Sequence, residues 1–149
     1  MESKLNKGLL SILFAFYIVV LIFLSLFGVS GNLHFVKVGD VSNNFIPFHT
    51  LSNYILNFNR YNLDTWFLNT LALVICFIPI GLMIPYIFKR ISKYFHVFIF
   101  SLVISSIVET TQILTKFGVF DIDDIILSII GTSIGYLMHK FFKNIKEAY

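Results

Sequence analysis

The chain has 149 residues, of which 57% are hydrophobic and only 13% are charged. Soluble domains are usually about 45–50% apolar and about 25% charged, so the composition excludes an ordinary water-soluble surface and predicts an integral membrane protein. The net charge of +3 is too small to indicate nucleic-acid binding, and no nucleic-acid partner is expected. Cys76 is the single cysteine, which excludes an intrachain disulfide.

Four apolar stretches approach or exceed the length that a helix needs to cross a bilayer, about 17–25 residues. They cover residues 8–27, 66–88, 96–114 and 125–142. The second contains Pro79 and Pro85, which membrane helices tolerate because neighbouring groups satisfy the freed carbonyls. The pattern predicts an all-α fold, with one membrane domain over residues 1–149.

The first apolar stretch is longer than the hydrophobic core of a cleaved signal peptide, which is about 7–15 residues. Lys4 and Lys7 precede it, and the small residues of Gly28-Val29-Ser30 resemble a cleavage site. The length favours an uncleaved anchor helix, with a signal peptide as the alternative.

Lysine and arginine residues are distributed unevenly between the two ends of the predicted spans. Eight lie at the termini and in the second connection, namely Lys4, Lys7, Lys89, Arg90, Lys93, Lys140, Lys143 and Lys146. Three lie in the other connections, namely Lys37, Arg60 and Lys116. Because basic residues favour the cytoplasmic side, this predicts a cell-membrane protein whose N- and C-termini are both cytoplasmic. Residues 28–65 and 115–124 are then expected outside.

The long outer segment contains an amphipathic pattern after Pro47. Apolar side chains recur there at helical spacing, at Leu51, Tyr54, Ile55, Phe58 and Tyr61. This predicts a short helix over about 49–60 that lies in the outer interface of the membrane. A re-entrant segment packed on the bundle is the alternative.

Glu109 is the polar residue that most needs an explanation, because an unpaired carboxylate in lipid is costly. Gln112 lies one turn further out on the same helix face, and Ser101 and Ser105 lie below. The serines are typical of interhelical hydrogen bonds, whereas the carboxylate and Gln112 favour a ligand-binding site.

Three aspartates, Asp121, Asp123 and Asp124, precede or open the fourth span. Capping of the helix N-terminus explains at least one of them, but three exceed what capping requires. We expect Asp121 and Asp124 to converge with Glu109 and to bind cationic groups of a ligand. A bound divalent cation is the alternative. The favoured prediction is a site without a metal or a cofactor.

Three further polar residues, Asn44, His49 and Asn69, complete the predicted ligand-binding site. Since every strongly polar feature in or beside the spans lies in their outer half, the site is predicted to open outward. A general-base role for His49 is one reading, but a histidine in such a segment is more often a hydrogen-bond donor.

The fourth span carries Gly131 and Gly135, whose spacing is typical of closely packed membrane helices. Ser128 lies on the same face. We predict that this face packs against the third span.

Several short motifs follow one another in an order that resembles one family of bacterial membrane proteins. They are Asn44-Phe45-Ile46-Pro47-Phe48, Phe77-Ile78-Pro79-Ile80-Gly81, Glu109-Thr110-Thr111-Gln112, Asp121-Ile122-Asp123-Asp124, and the glycines Gly131 and Gly135. In order and spacing the chain is similar to the VanZ-like family from about Leu10 to Phe142. The resemblance implies a multi-pass protein of the cell envelope. It also implies antibiotic resistance, since the founding member is associated with low-level resistance to teicoplanin, a lipid-tailed glycopeptide.

Three positions depart from the pattern of that family. Gly118 stands where an arginine usually precedes the acidic cluster, and Ser128 stands where an asparagine usually follows it. Leu73 occupies a third place that is often asparagine, with Asn69 one turn earlier. The missing arginine removes the natural partner of the carboxylates, and Lys116 lacks its bidentate fork.

Three functions remain open at this point. The first is binding of an amphiphile, such as a membrane lipid, a lipid-linked envelope component or a lipoglycopeptide tail, in an outward-facing polar cavity. The second is an enzyme that acts on a lipid-linked head group, although the sequence has no dedicated nucleophile arrangement. The third is a structural partner of another membrane complex, through the glycine face, and a homo-oligomer is also compatible with the sequence.

Overall fold

A computed structural model describes residues 2–27, 43–60, 63–115 and 118–148. The helices are α1 (Glu2–Phe27), α2 (His49–Leu56), α3 (Leu63–Leu68), α4 (Leu71–Ile87), α5 (Tyr94–Thr115) and α6 (Ile122–Ala148). Short 3-10 turns follow α2 at Phe58–Arg60 and α4 at Lys89–Ile91. Among the residues that carried predictions, Gly28-Val29-Ser30, Lys37, Tyr61 and Lys116 lie outside the described residues.

Within the part of the chain that the structure describes, four segments are long and apolar enough to cross a membrane. They are Lys7–Ser25, Trp66–Ile87, Tyr94–Thr115 and Ile122–Lys146. The predicted all-α, four-span membrane fold is therefore confirmed. The helix of the fourth span, α6, is longer than the predicted apolar run. Asp123 and Asp124 lie in its first turn and Lys146 lies in its last turn, outside that run. We call these two ends of the bundle the aspartate end and the lysine end.

The second span is interrupted close to the aspartate end, at Asn69 and Thr70. α3 ends at Leu68, and Thr70 has φ −131° and ψ −82°, which is not a helical conformation. The Thr70 hydroxyl donates to the carbonyl of Trp66 at 2.6 Å, which satisfies one carbonyl at the break. The interruption brings Asn69 to the aspartate end of α4.

α4 and α6 form the most extensive helix pair of the bundle. A Cβ added at Gly131 or Gly135 would overlap the carbonyl oxygens of Val74 and Ile78, and a Cβ at Gly81 would overlap the α6 backbone. The three glycines thus let two helix backbones approach closely. The prediction that the glycine face packs against the third span is wrong, because Gly81 provides the matching gap on the second span.

The contact between α5 and α6 is instead made by buried hydroxyl groups. Thr132 donates to the hydroxyl of Ser101 at 2.8 Å, and Ser101 donates to the carbonyl of Ser128 at 3.4 Å. Ser105 donates within its own helix, to the carbonyl of Ser101 at 2.9 Å. Ser101 therefore makes the interhelical bonds expected of the serines, whereas Ser105 does not.

α1 lies at the periphery of the bundle. Phe14 and Leu21 join the apolar core that Phe77, Ile80, Ile84 and Val97 form. The opposite face of α1 exposes large apolar side chains, among them Leu9, Ile12, Phe16, Val19 and Phe23. Such a face suits contact with lipid, which the apolar composition also requires.

α2 begins where the amphipathic pattern predicted a helix, but it ends at Leu56 rather than near residue 60. None of its residues is buried, and Ile55 and Leu56 are exposed. Its first turn is hydrogen-bonded to α6 through Asp123. One end of α2 is therefore attached to the bundle and the other exposes apolar side chains, and both readings of this segment stay predictions.

Candidate functional site

Two short segments meet at the aspartate end, one before α2 and one before α6. The amide of Asn44 donates to the carbonyl of Phe120 at 2.8 Å, and the amide of Ile122 donates to the carbonyl of Asn44 at 3.1 Å. The pair Asn44 and Asp121 forms a parallel bridge. The side-chain oxygen of Asn43 accepts from the Phe120 amide at 2.9 Å. These bonds fix the segment before α2 against the start of α6.

The Asn44 side chain positions Asp121. Its Nδ2 donates to Asp121 Oδ1 at 2.8 Å and to the hydroxyl of Thr50 at 3.0 Å. Its Oδ1 accepts from the amide of Ile46 at 3.0 Å. Asp121 Oδ1 also accepts from the amide of Asp123 at 2.9 Å, which is the usual capping bond at the start of a helix. Asp121 is therefore the capping residue of α6.

Asp123 caps a different helix. Its Oδ1 accepts from the amide of Phe48 at 2.5 Å and its Oδ2 accepts from the amide of Leu51 at 3.0 Å, so one carboxylate binds the first turn of α2. Phe48 has a left-handed φ of 66° and provides no side-chain cap. Asp123 is only 1% exposed. Two of the three aspartates are thus explained by capping, one within α6 and one across to α2.

Glu109 holds the connection before α6 from inside the bundle. It is 3% exposed, and its Oε2 accepts from the amide of Asp121 at 2.8 Å. A buried carboxylate is stabilised by such a charge-assisted hydrogen bond. The predicted convergence of Glu109 with Asp121 is present, but it joins the Glu109 carboxylate to the Asp121 backbone.

Gln112 connects α5 to α1. Its Nε2 donates to the carbonyl of Ser25 at 2.9 Å. Gly118, which stands in the place of the expected arginine, lies against this side chain, because a Cβ there would be 3.2 Å from Gln112 Cδ. A longer residue at 118 would require Gln112 to move.

These contacts surround a cavity of about 690 Å³, the aspartate-end cavity. Six predicted ligand-binding residues line it, namely Asn44, His49, Asn69, Gln112, Asp121 and Asp124. Glu109 and Asp123, whose part in ligand binding stays a prediction, are not among the described residues that line it. The reason is the same for both, since their carboxylates bind backbone amides behind the cavity wall.

The cavity also has an apolar wall. Phe45 and Phe120 line it and stack with their ring centroids 4.9 Å apart. Ile46 lines it as well and is 66% exposed. The cavity is thus lined by both polar side chains and partly exposed apolar ones.

Asp124 differs from the other carboxylates of this cluster. Within the described ranges, hydrogen bonds reach the carboxylates of Glu109, Asp121 and Asp123, whereas none ends on the Asp124 carboxylate. An ionised group in a poorly hydrated place is costly without a donor or a cation. Asp124 is therefore the carboxylate of the cavity that is most available to a bound molecule.

The described side chains do not form a metal-binding cluster of three or more His, Cys, Asp or Glu residues. Among the described residues, the two carboxylates that line the aspartate-end cavity are those of Asp121 and Asp124, and Asp121 already binds Asn44 and an amide.

Sequence reasoning missed three polar lining residues, Asn43, Thr50 and Asn53. Asn53 is four residues after His49, so the two lie on one face of α2. That spacing was a usable signal. Asn43 and Thr50 act through bonds to Phe120 and Asn44, which no local pattern indicates.

Comparisons with known proteins show the family of this chain. The VanZ/LLP1 family profile matches residues 12–143, which include every described residue that lines the aspartate-end cavity. Protein VanZ of Enterococcus faecium is 33% identical over 140 residues, which are 93% of this chain and 76% of that protein. No solved structure matches the chain. The protein described here is a multi-pass membrane protein that belongs to the VanZ/LLP1 family.

Proposed function

We propose that the protein binds an amphiphile in the aspartate-end cavity and thereby lowers susceptibility to teicoplanin-type lipoglycopeptides. The similarity to Protein VanZ supports the phenotype. The observation that carries the binding step is Asp124, a carboxylate with no described internal donor, in a cavity that the stacked pair Phe45 and Phe120 also lines.

The polar side of the cavity suits a head group that carries a positive charge and hydrogen-bond donors. Asp124 accepts the cationic group, in a place where a charge-assisted bond is stronger than in water. Asn69 and Gln112, which also line the cavity, hold neighbouring polar groups of the head group. Glu109 and Asp123 do not touch the ligand. They fix the two segments that carry the cavity walls.

The apolar side of the cavity suits a lipid tail. Phe45 and Ile46 line the cavity and are 63% and 66% exposed, so a tail can follow them outward. Ile55 and Leu56 of α2 extend the exposed apolar surface beside this opening. α2 then acts as a lateral lid, hinged at its first turn where Asp123 holds it.

This function requires that the aspartate end face the outside of the cell and that both termini be cytoplasmic. The distribution of lysines supports this orientation, since Lys89, Lys140, Lys143 and Lys146 lie at the opposite end. The membrane of action is then the cell membrane, where a lipid-linked envelope component is within reach.

A susceptibility assay in a glycopeptide-sensitive Gram-positive host tests the proposal. Wild type is expected to raise tolerance to teicoplanin more than to vancomycin, and Asp124→Asn is expected to return it to the empty-vector value at equal membrane levels. Asn59→Asp is the matched control, because Asn59 is exposed, does not line the cavity among the described residues, and gains the charge that the first variant loses. Equal tolerance in wild type and Asp124→Asn would refute the role of the carboxylate.

A membrane enzyme that acts on a lipid-linked head group is the alternative, because Asp121 and Asp124 both line the cavity. It predicts a changed profile of lipid-linked precursors by mass spectrometry, and loss of that change in Asp124→Asn. Binding alone predicts an unchanged profile. A structural partner that docks on the glycine face would need another surface, since α4 occupies that face.

A further inference from the structure

The polar lining of the aspartate-end cavity consists mainly of carboxylates and carboxamides. The carboxylates are those of Asp121 and Asp124. The carboxamides belong to Asn43, Asn44, Asn53, Asn69 and Gln112. No lysine or arginine is found among the described residues that line the cavity. This composition bears on which head group the cavity accepts.

The start of α6 lies at the cavity but offers little to an anion. Phosphate sites in proteins commonly use free backbone amides at the start of a helix, together with arginine or lysine. Here the amide of Ile122 donates to the carbonyl of Asn44. The amide of Asp123 donates to Asp121 Oδ1, and the amide of Asp124 donates to the carbonyl of Asp121 at 3.2 Å. These three donors are therefore already bonded within the fold.

The start of α2, where His49 lines the cavity, is bonded in the same way. The amides of Phe48 and Leu51 donate to the carboxylate of Asp123. The amide of His49 donates to the carbonyl of Ile46 at 3.2 Å. A carboxylate of the protein thus takes the place that an anion would occupy at this helix.

A phosphate in the cavity would also meet negative charge. Asp121 and Asp124 line the cavity, and the carboxylates of Glu109 and Asp123 hold the segments that form its walls. Like charges repel more strongly in a poorly hydrated site than in water, so each close pair weakens binding by roughly tenfold or more. Both the bonded amides and the carboxylates therefore disfavour a head group whose phosphate enters the cavity.

An amine suits the same lining. The carboxylate of Asp124 has no described donor and can accept a charge-assisted hydrogen bond from an ammonium group. Asn53 lines the cavity from α2 and is partly buried, and Gln112 lines it from α5. Because carboxamides both donate and accept hydrogen bonds, they suit hydroxyl or amide groups beside the amine.

We propose that the head group bound in the aspartate-end cavity carries an amine with neighbouring hydroxyl or amide groups and no phosphate. The inference rests on the function proposed above and narrows it. Phospholipids and phosphate-linked envelope precursors are then not the occupants. Lipid-tailed peptides and glycolipids that carry a free amine remain.

Three amphiphiles that share one hydrocarbon chain test the head group. Sphingosine carries an amine and hydroxyl groups, sphingosine 1-phosphate adds a phosphate, and N-acetylsphingosine lacks the charge of the amine. Native mass spectrometry measures how well the full-length protein retains each of them. Wild type is expected to retain sphingosine at least roughly tenfold better than either of the others. Asp124→Asn is expected to retain sphingosine and N-acetylsphingosine equally.

A cation placed in the cavity lining provides a second arm of the test. Asn53→Lys adds a positive charge to the lining, and Asn59→Lys adds the same charge at an exposed residue that is not among the described lining residues. Asn53→Lys is expected to lose the preference for sphingosine over sphingosine 1-phosphate, whereas Asn59→Lys is expected to keep it. An equal change in both variants would overturn the inference, because overall charge would then explain the preference.

The outcomes separate this inference from the proposed function. If wild type retains sphingosine 1-phosphate as well as sphingosine, the inference is overturned, but amphiphile binding stands. If wild type retains none of the three amphiphiles and does not bind teicoplanin, the binding step of the proposed function fails, and the inference fails with it. Size-exclusion profiles that match wild type verify that each variant is folded.

Discussion

The two ends of the bundle handle charge in opposite ways. At the aspartate end, three carboxylates are hydrogen-bonded to backbone amides, and the fourth, Asp124, lines a cavity without a described donor. At the lysine end, four lysines line a cavity whose described lining contains no carboxylate. The aspartate end is organised by internal bonds, so its cavity exists before a ligand arrives.

The comparison shows that the number of charges at a membrane-protein end says little about function. What matters is how many of them are already hydrogen-bonded within the fold. Adjacent residues differ in this respect, since both carboxylate oxygens of Asp123 accept from amides at the start of α2, whereas the Asp124 carboxylate has no described donor. The following predictions are ordered by expected effect, and each would break or sharpen the contrast between the two ends.

The largest effect is expected from Gly131→Ala, which disturbs the contact that supports both ends. The added methyl group would meet the carbonyl of Val74, and backbone cannot move aside as a side chain can. Overpacking of this kind costs about 3 kcal/mol, so we expect a lower midpoint of thermal unfolding in detergent and loss of the proposed binding in the aspartate-end cavity. Gly8→Ala is the control, because nothing lies within 4 Å of the added atom. Equal stability of the two variants would mean that α4 and α6 are not in close contact.

A smaller and local effect is expected from Asp123→Asn. The side-chain oxygen of the new asparagine can accept one of the two backbone hydrogen bonds, but its NH₂ group faces the other N–H donor. The first turn of α2 is therefore expected to be destabilised by about 2 kcal/mol. Hydrogen exchange is expected to increase over residues 48–56 and to stay unchanged in α5. Asp124→Asn removes the neighbouring charge and is expected to leave this exchange unchanged. Faster exchange in both variants would remove the distinction between the structural and the available aspartate.

Replacement of Glu109 separates hydrogen bonding from charge. Glu109→Gln retains an acceptor for the backbone amide of Asp121, whereas Glu109→Leu removes the acceptor of that amide. A lost bond of this kind costs about 1.5–3 kcal/mol, so Glu109→Leu is expected to lower the unfolding midpoint more than Glu109→Gln. The same order is expected for teicoplanin tolerance. If Glu109→Gln instead abolishes tolerance without loss of stability, Glu109 binds the ligand through its charge.

The smallest effect is expected from Ser101→Ala, between the two ends. The variant removes the acceptor of the Thr132 hydroxyl, and interhelical bonds of this type contribute about 0.6 kcal/mol in membrane bundles. Ser11→Ala serves as the comparison, because Ser11 donates only within α1 in the described structure, to the carbonyl of Lys7. Chemical unfolding in mixed micelles measures both. A loss above about 2 kcal/mol would show that the hydroxyl contacts, rather than the glycines, dominate the bundle.

The sequence was sufficient for the parts of the fold that depend on local pattern. The four spans follow from apolar length, and the start of α2 follows from helical spacing after Pro47. The fourth span was predicted to start at residue 125, after the aspartates. Asp123 and Asp124 instead lie inside the first turn of α6. The break at Asn69 and Thr70 had one signal in the sequence, because the polar Asn69 interrupts the second apolar stretch.

The site was predictable as a set of residues but not as an arrangement. Six predicted residues do line the aspartate-end cavity. The roles of Asp123 and Glu109 depend on which backbone amides they meet, and for Asp123 those amides lie more than 70 residues away in sequence, at Phe48 and Leu51. The partner of the glycine face depended on Gly81, which only a three-dimensional arrangement pairs with α6.

The central claim is that Asp124 in the aspartate-end cavity holds the head group of an amphiphile. A binding measurement on purified protein in nanodiscs tests it most directly. Titration with teicoplanin and with vancomycin, which lacks the lipid tail, is followed by fluorescence for wild type, Asp124→Asn and Asn59→Asp. Wild type and Asn59→Asp are expected to bind teicoplanin more tightly than vancomycin, and Asp124→Asn is expected to bind teicoplanin at least roughly tenfold more weakly, as for a lost charge-assisted bond. Identical teicoplanin affinities in wild type and Asp124→Asn, with both folded, would contradict the claim.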